Sequence, residues 1–194
     1  ALAYGFDRQA YIDSYYSLEG SDEAMAYVPS SLGNPVSKTC GDVVTGKEKL
    51  DGLNTYEYSP EKAKQLLDDA GWKVGADGIR EKDGVRLSIR FLSIKEKDNM
   101  DSMIPILQKD WQEIGVELKA STMEFNTVVS TISDDSALGD WDAGWVGLSY
   151  GSPEDTGMNY LLKSKAVDNF PRLNDSQLDA DLDAGTYTSD SETS

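Results

Sequence analysis

At 194 residues the chain is long enough for one domain with a core of its own, and 35 Asp and Glu against 18 Lys and Arg leave a formal net charge of −17. Phosphate binding needs clustered cations, so nucleic acid is a poor partner for this surface as a whole, and an anionic membrane repels it. Histidine is absent and Cys40 is the single cysteine, which removes Ser-His-Asp and Cys-His catalysis, His-ligated zinc, internal disulfides and cysteine metal clusters.

The chain opens on Ala1-Leu2-Ala3-Tyr4-Gly5-Phe6 with no leading Met, and it closes on Ser189-Asp190-Ser191-Glu192-Thr193-Ser194. Both ends read as cuts in a longer chain, so the absence of a signal peptide or an apolar run of membrane-spanning length carries no weight.

In chain order, residues 1–18 read as a helix with Leu2, Phe6 and Ile12 on one face and Tyr11, Tyr15 and Tyr16 around it. Residues 20–55 are rich in Gly, Ser, Pro and Asn and read as a long loop, either functional or disordered. Ser59 and Pro60 then form an N-cap and first helical position, Ala63, Leu66, Leu67 and Ala70 form an apolar stripe, and Gly71 ends the helix ahead of Trp72. Turn signals at Asp77-Gly78 and Asp83-Gly84 predict a hairpin leading into a half-buried strand with Val85, Leu87, Ile89 and Phe91 inward. A helix to about Ile114 follows, with Ile104, Leu107, Trp111 and Ile114 on one face; Pro105 places its start, or a kink, close to itself. Val116–Ala120 reads as a second strand, joined to the first by a right-handed parallel crossover.

Phe125–Ile132 reads as a helix, Ser133–Gly139 as a polar loop and 141–147 as a strand. Ser152-Pro153 breaks that strand. Leu178 and Leu182 mark a last amphipathic helix within an acidic tail. The pattern is α/β or α+β, a mixed sheet with helices packed on it.

Several constellations invite chemistry. Asp179, Asp181 and Asp183 alternate as in a calcium loop, but the sixth and twelfth positions hold Ala184 and Asp190 instead of Gly and Glu, so an acidic helix surface is the better reading. Asp134, Asp135, Asp140 and Asp142 offer carboxylates without the cleft a glycosidase needs. No catalytic residue, metal site or cofactor is expected. Trp72 and Trp111 occupy helix-core positions. Trp141, Ala143 and Trp145 share a strand face by period two, where core packing and a cleft wall stand level. Gly144 and Gly147 leave backbone open to an approaching ligand, which makes this the leading site on physics alone.

The residues at this point carry a resemblance. Ala1-Leu2-Ala3-Tyr4-Gly5-Phe6-Asp7-Arg8-Gln9-Ala10 resembles the "ALAYAIDRQ" helix of family 5 solute-binding proteins, the oligopeptide, dipeptide and nickel binders. Tyr58 to Leu67 with Ala70-Gly71-Trp72 is similar to their "Y-x-P-E-K-A-K-x-L-L-x-x-A-G-W" segment. Trp111-Gln112-Glu113-Ile114-Gly115-Val116 resembles "W-x-x-I-G-I", and Asp142-Ala143-Gly144-Trp145, followed by Pro153, resembles the strand before the family's Asp-Pro.

The resemblance spans about residues 1–160. It implies the second lobe of a type II periplasmic-binding-protein-like fold, incomplete over residues 1–174, with 175–194 an acidic helix and frayed tail leading back to a missing first lobe. It further implies a non-enzymatic module of an ABC importer, extracellular or periplasmic and lipid-anchored in a Gram-positive cell. Such a module takes a peptide or related small solute between two lobes and hands it to a permease. Trp145, Val146, Gly147, Leu148, Ser149 and Tyr150 are the expected cleft wall. Many members carry here an Asp for the ligand's ammonium group; Leu148 or Ser149 stands in its place, and the stretch holds no carboxylate. The alternatives are a carboxylate-dependent glycoside-acting enzyme and a non-catalytic cell-surface structural domain.

Overall fold

The computed structural model describes residues 1–15, 42, 48–49, 51–52, 54, 56–147 and 158–187. Cys40, nearly all of the 20–55 loop, the Ser152-Pro153 break, the end of the acidic tail and Leu148, Ser149 and Tyr150 lie outside the described residues.

The first regular helix, α1, runs Arg8–Tyr15 and does not begin at the first residue. Tyr4 and Gly5 instead close turns onto the Ala1 and Leu2 carbonyls at 3.0 and 3.1 Å. A close approach holds those turns: a Cβ on Gly5 would sit 2.5 Å from Ile114 Cδ1. Asp7 then accepts the Ala10 N–H at 2.9 Å and starts the helix. Leu2, Phe6 and Ile12 all turn inward as expected, but from two elements.

Helix α2, Pro60–Asp69, follows its sequence signals closely. Ser59 Oγ accepts the Lys62 N–H at 3.3 Å. Its end is a Schellman motif: Trp72 N–H reaches the Leu67 carbonyl at 3.0 Å, Gly71 N–H reaches Asp68 at 2.9 Å, and Gly71 has φ +87°. The buried stripe is narrower than expected. Ala63 and Leu67 are buried, whereas Leu66 and Ala70 are exposed. Leu66 is about 100° round the helix from Leu67, off the single line of contact with the core.

A small antiparallel sheet follows, β1 Lys73–Val74, β2 Arg80–Lys82 and β3 Val85–Arg86. Asp83 and Gly84 both have positive φ, 52° and 78°, as a two-residue type I′ turn demands. The expected single strand from Val85 to Phe91 splits at Leu87. Its N–H bonds the Arg80 carbonyl at 2.8 Å in this sheet, and its carbonyl accepts the Glu117 N–H at 3.0 Å in the next. Val85 is therefore exposed instead of inward.

The second sheet is parallel. Strand β4, Ser88–Ile94, pairs with β5, Glu117–Met123, along its whole length, from Ser88↔Glu117 to Ile94↔Met123. On its other side β4 pairs with the short β6, Ala143–Gly144, through Phe91↔Ala143. Helix α3, Asp98–Glu113, connects β4 to β5, and α4, Phe125–Ser133, follows β5. Helix α3 packs on one face with Met100, Leu107 and Trp111 against Phe91 and Leu118; α4 packs on the other with Val128 and Ile132 against Leu92 and Ile94. Coverage on both faces explains why Phe91–Ile94 is a run of four buried residues where alternation was expected.

Helix α3 passes through Pro105 and does not start there. Pro105 lies on the exposed side, so the Asp101 carbonyl it deprives of a partner is turned to solvent. A short α5, Met158–Leu161, and α6, Ser176–Tyr187, complete the order. Asp175 Oδ1 caps α6 from the Gln177 and Leu178 N–H groups at 2.9 and 3.1 Å. Leu178 and Leu182 are half-buried. Among the described residues no helix is long and apolar enough to cross a membrane.

One buried carboxylate yields a pH prediction. Asp110, on α3, is 3% exposed and accepts the Asp7 N–H at 2.9 Å. Burial pushes its carboxyl up, Asp7 and Glu113 add to the push, and that N–H bond and Lys109 offset only part of it. The native chain therefore holds this proton at pH values where the unfolded chain has lost it, so stability falls as pH rises through that window. Asp110→Asn keeps an acceptor for Asp7. It should raise Tm at about pH 7, with the gain shrinking as pH falls to the ordinary carboxylate range. A Tm difference that stays constant across a pH series would contradict this account.

Candidate functional site

Strands β5, β4 and β6 lie in that order and run the same way. The chain leaves β4 towards β5 over one face, then passes over the other face to β6 on the far side of β4. Connections that diverge like this leave a crevice at the carboxyl ends of the two strands between which they part. Here those strands are β4 and β6, and the residues at the crevice are Ser93–Lys97 from one and Trp145–Gly147 from the other.

Trp145 is half-buried. Its N–H bonds the Leu92 carbonyl at 3.1 Å, and its side chain touches both hydrophobic clusters, so it closes the sheet edge between them. Val146 is half-buried against the α4-side cluster, and Gly147 is exposed. The ring folds back over Gly147: a Cβ there would meet Trp145 Cη2 at 3.1 Å. Among the described residues β6 pairs only with β4. The structure thus brings together three of the six predicted wall residues.

The expectation that Trp141, Ala143 and Trp145 share one face does not hold. Ala143 packs on the α3 side and Trp141 on the α4 side. Pairing begins with the Asp142 N–H on the Arg90 carbonyl at 2.9 Å, so Trp141 precedes the strand and period two does not govern it. Trp72 and Trp111 belong to the α3-side core, as their helix positions implied.

Sequence reasoning missed the β4–α3 turn. Ser93 at the end of β4 is fully buried with no partner for its hydroxyl among the described residues, and Glu96 holds a left-handed φ of 55°. The available signal was their position, directly after the strand that begins a crossover.

Six of the seven acidic residues singled out in the sequence have structural partners. Asp142 accepts from the Arg90 backbone N–H at 2.8 Å, from Nε at 2.9 Å and from Nη2 at 2.8 Å, and Arg90 holds its carboxyl below the usual range. Asp134 accepts the Ser136 N–H at 2.8 Å, and Asp135 pairs with Arg172 at 3.0 Å. Asp179 accepts the Ser164 N–H at 2.7 Å, Asp181 accepts from Gln177 at 2.9 Å, and Asp183 pairs with Lys163. Among the described residues no group of three or more Asp, Glu or Cys is placed to hold a metal ion.

A cavity of about 390 Å³ lies elsewhere, between Ser133 and residues 164–174. Two of its polar side chains are committed to the fold: Arg172 to Asp135 and to the Ile132 and Phe170 carbonyls, Asn169 to the Lys163 and Leu173 carbonyls.

A parallel sheet covered on both faces, with its connections parting at the carboxyl ends of β4 and β6, is an α/β architecture whose ligands, where it has them, sit at that point. The model of bacterial extracellular solute-binding proteins, family 5 Middle, matches residues 1–170, and the chain belongs to that family. It is 30% identical over 188 residues to the oligopeptide-binding protein OppA of Lactococcus lactis subsp. lactis, an alignment covering 93% of this chain and 28% of that protein. It is 36% identical over 84 residues to the nickel-binding periplasmic protein of Escherichia coli strain K12, covering 43% and 16%.

Its fold matches that of the oligopeptide-binding protein AppA of Bacillus subtilis in complex with a nonapeptide. The TM-score is 0.75 at 24% identity, over 98% of this chain and 35% of the other. The chain therefore spans roughly a third or less of the relatives it matches.

Proposed function

We propose that the chain is the second-lobe part of a receptor that captures a peptide or related small solute between two lobes and delivers it to the permease of an ABC importer. The observation that carries this reading is the strand order β5-β4-β6, which sets Trp145, Val146 and Gly147 beside Ser93–Lys97 where the connections part, next to the edge of β6 that pairs with no other described strand. An extended ligand can add to such an edge through main-chain hydrogen bonds while its side chains enter the crevice. Leu148, Ser149 and Tyr150 continue the wall in this reading. The relatives named for oligopeptides and nickel support a small-solute ligand. Binding is the activity, with no turnover. Residues 1–174 form the incomplete lobe, and 175–194 lead back to the first lobe. The receptor works outside the cytoplasmic membrane, held by a lipid anchor if the cell is Gram-positive.

Calorimetry on the full-length protein with synthetic oligopeptides tests the reading. Saturable binding is expected there and, at best, weak binding by the 194-residue piece, because hinge closure needs both lobes. Sub-micromolar binding by the piece alone would refute a shared cleft. Glycoside turnover abolished by Asp142→Asn would replace binding with catalysis.

A further inference from the structure

Resting on the crevice reading, we infer that Gly147 is a positioning residue: its missing side chain is what lets the Trp145 ring lie back over the backbone at 147, and so it sets the width of the crevice. The distances carry this. An ideal Cβ at 147 would stand 3.1 Å from Trp145 Cη2, 3.7 Å from Cζ2 and 3.8 Å from Cζ3. The first is tighter than nine in ten real Cβ contacts, so a side chain at 147 requires the ring to give by a few tenths of an ångström. The ring has little room to give on its inner side, because it already touches the close-packed clusters on both faces of the sheet. The give is therefore taken up on the outer side, which in the crevice reading is the ligand's side.

Backbone conformation does not account for the glycine. Gly147 is not among the residues with positive φ, and it is exposed. Alanine at 147 therefore needs no left-handed backbone, and the three nearest atoms its Cβ would meet all belong to the indole. The atoms it meets are those of the six-membered part of the ring, and phenylalanine at 145 does not reach as far.

A double-mutant cycle on the full-length protein tests this, with a synthetic nonapeptide as probe in calorimetry. Gly147→Ala should weaken binding about tenfold in the wild-type background and less than about twofold beside Trp145→Phe, since coupling of this kind marks residues in contact. Acrylamide quenching of tryptophan fluorescence without peptide gives a second readout. The Trp145 contribution, taken against the Trp145→Phe background, should become more accessible in Gly147→Ala. Equal effects of Gly147→Ala in both backgrounds, or unchanged quenching, would overturn the positioning role. If Trp145→Ala leaves nonapeptide affinity intact, the crevice reading fails instead, and quenching alone decides whether Gly147 positions the ring.

Discussion

Replacing Arg80 with methionine should lower the unfolding free energy by ~3 kcal/mol, because the buried Ile114 carbonyl and the part-buried Trp72 carbonyl lose a charged donor. Arg80 is 3% exposed, and its head joins three elements. Nε donates to the Ile114 carbonyl at 2.8 Å, at the end of α3. Nη1 donates to the Trp72 carbonyl at 2.9 Å and to Asp68, at the end of α2. Its own backbone ties β2 to Gly115 and to Leu87 at 2.8 Å each. The cation thus satisfies carbonyls at two helix ends, where a positive charge is also favoured by the helix dipoles.

The Asp68 side chain is 58% exposed, so that ion pair contributes little, and Asp68→Asn should be near neutral. Gly115 belongs to the same joint. Its φ is +84°, and a Cβ there would lie 2.7 Å from Arg80 Cγ, so Gly115→Ala should also destabilise. Urea titration separates these cases. A cost for Arg80→Met of about 1 kcal/mol or less, the level of an ordinary surface change, would show that water replaces the guanidinium.

Nothing in the sequence around Arg80 announced this role. Arg80 sits in a charged tripeptide between two turns and reads as one more solvated cation. Its burial follows from where α2 and α3 end, which is tertiary information. The signals that did carry through were local. Ser59, Pro60 and Gly71 bounded α2 because caps act within one turn of chain. Asp83-Gly84 marked the hairpin because both residues accept positive φ.

Periodicity failed where the environment changed along a strand. Val85 to Phe91 alternates cleanly, yet it serves two sheets, and the break at Leu87 is visible only in where its two hydrogen bonds go. The candidate site was half legible. Its glycines and tryptophans pointed to β6, but the crevice exists because β4 lies between β5 and β6, and strand order is not written in any one segment.

Trp145→Ala in the full-length protein should weaken oligopeptide binding about tenfold or more, as truncation of a buried aromatic anchor does. It should also cost ~2 kcal/mol of stability, below the range for a fully buried tryptophan because the ring is only half-buried. From sequence the two roles were alternatives. The structure leaves both compatible, since the ring touches the clusters on both faces of the sheet and is still only half-buried at the carboxyl end of β6.

Both readouts should therefore move, and their separation comes from the conservative variant. Trp145→Phe retains much of the packing and should recover most of the stability. It should recover less of the affinity, because the lost ring atoms are those that extend over Gly147. Equal recovery of both would mean the ring acts on ligand only by holding the strand in place. A fall in stability with affinity unchanged would make Trp145 purely a core residue. The ligand contact would then have to be sought farther along the crevice, in the β4–α3 turn at Lys95, Glu96 and Lys97.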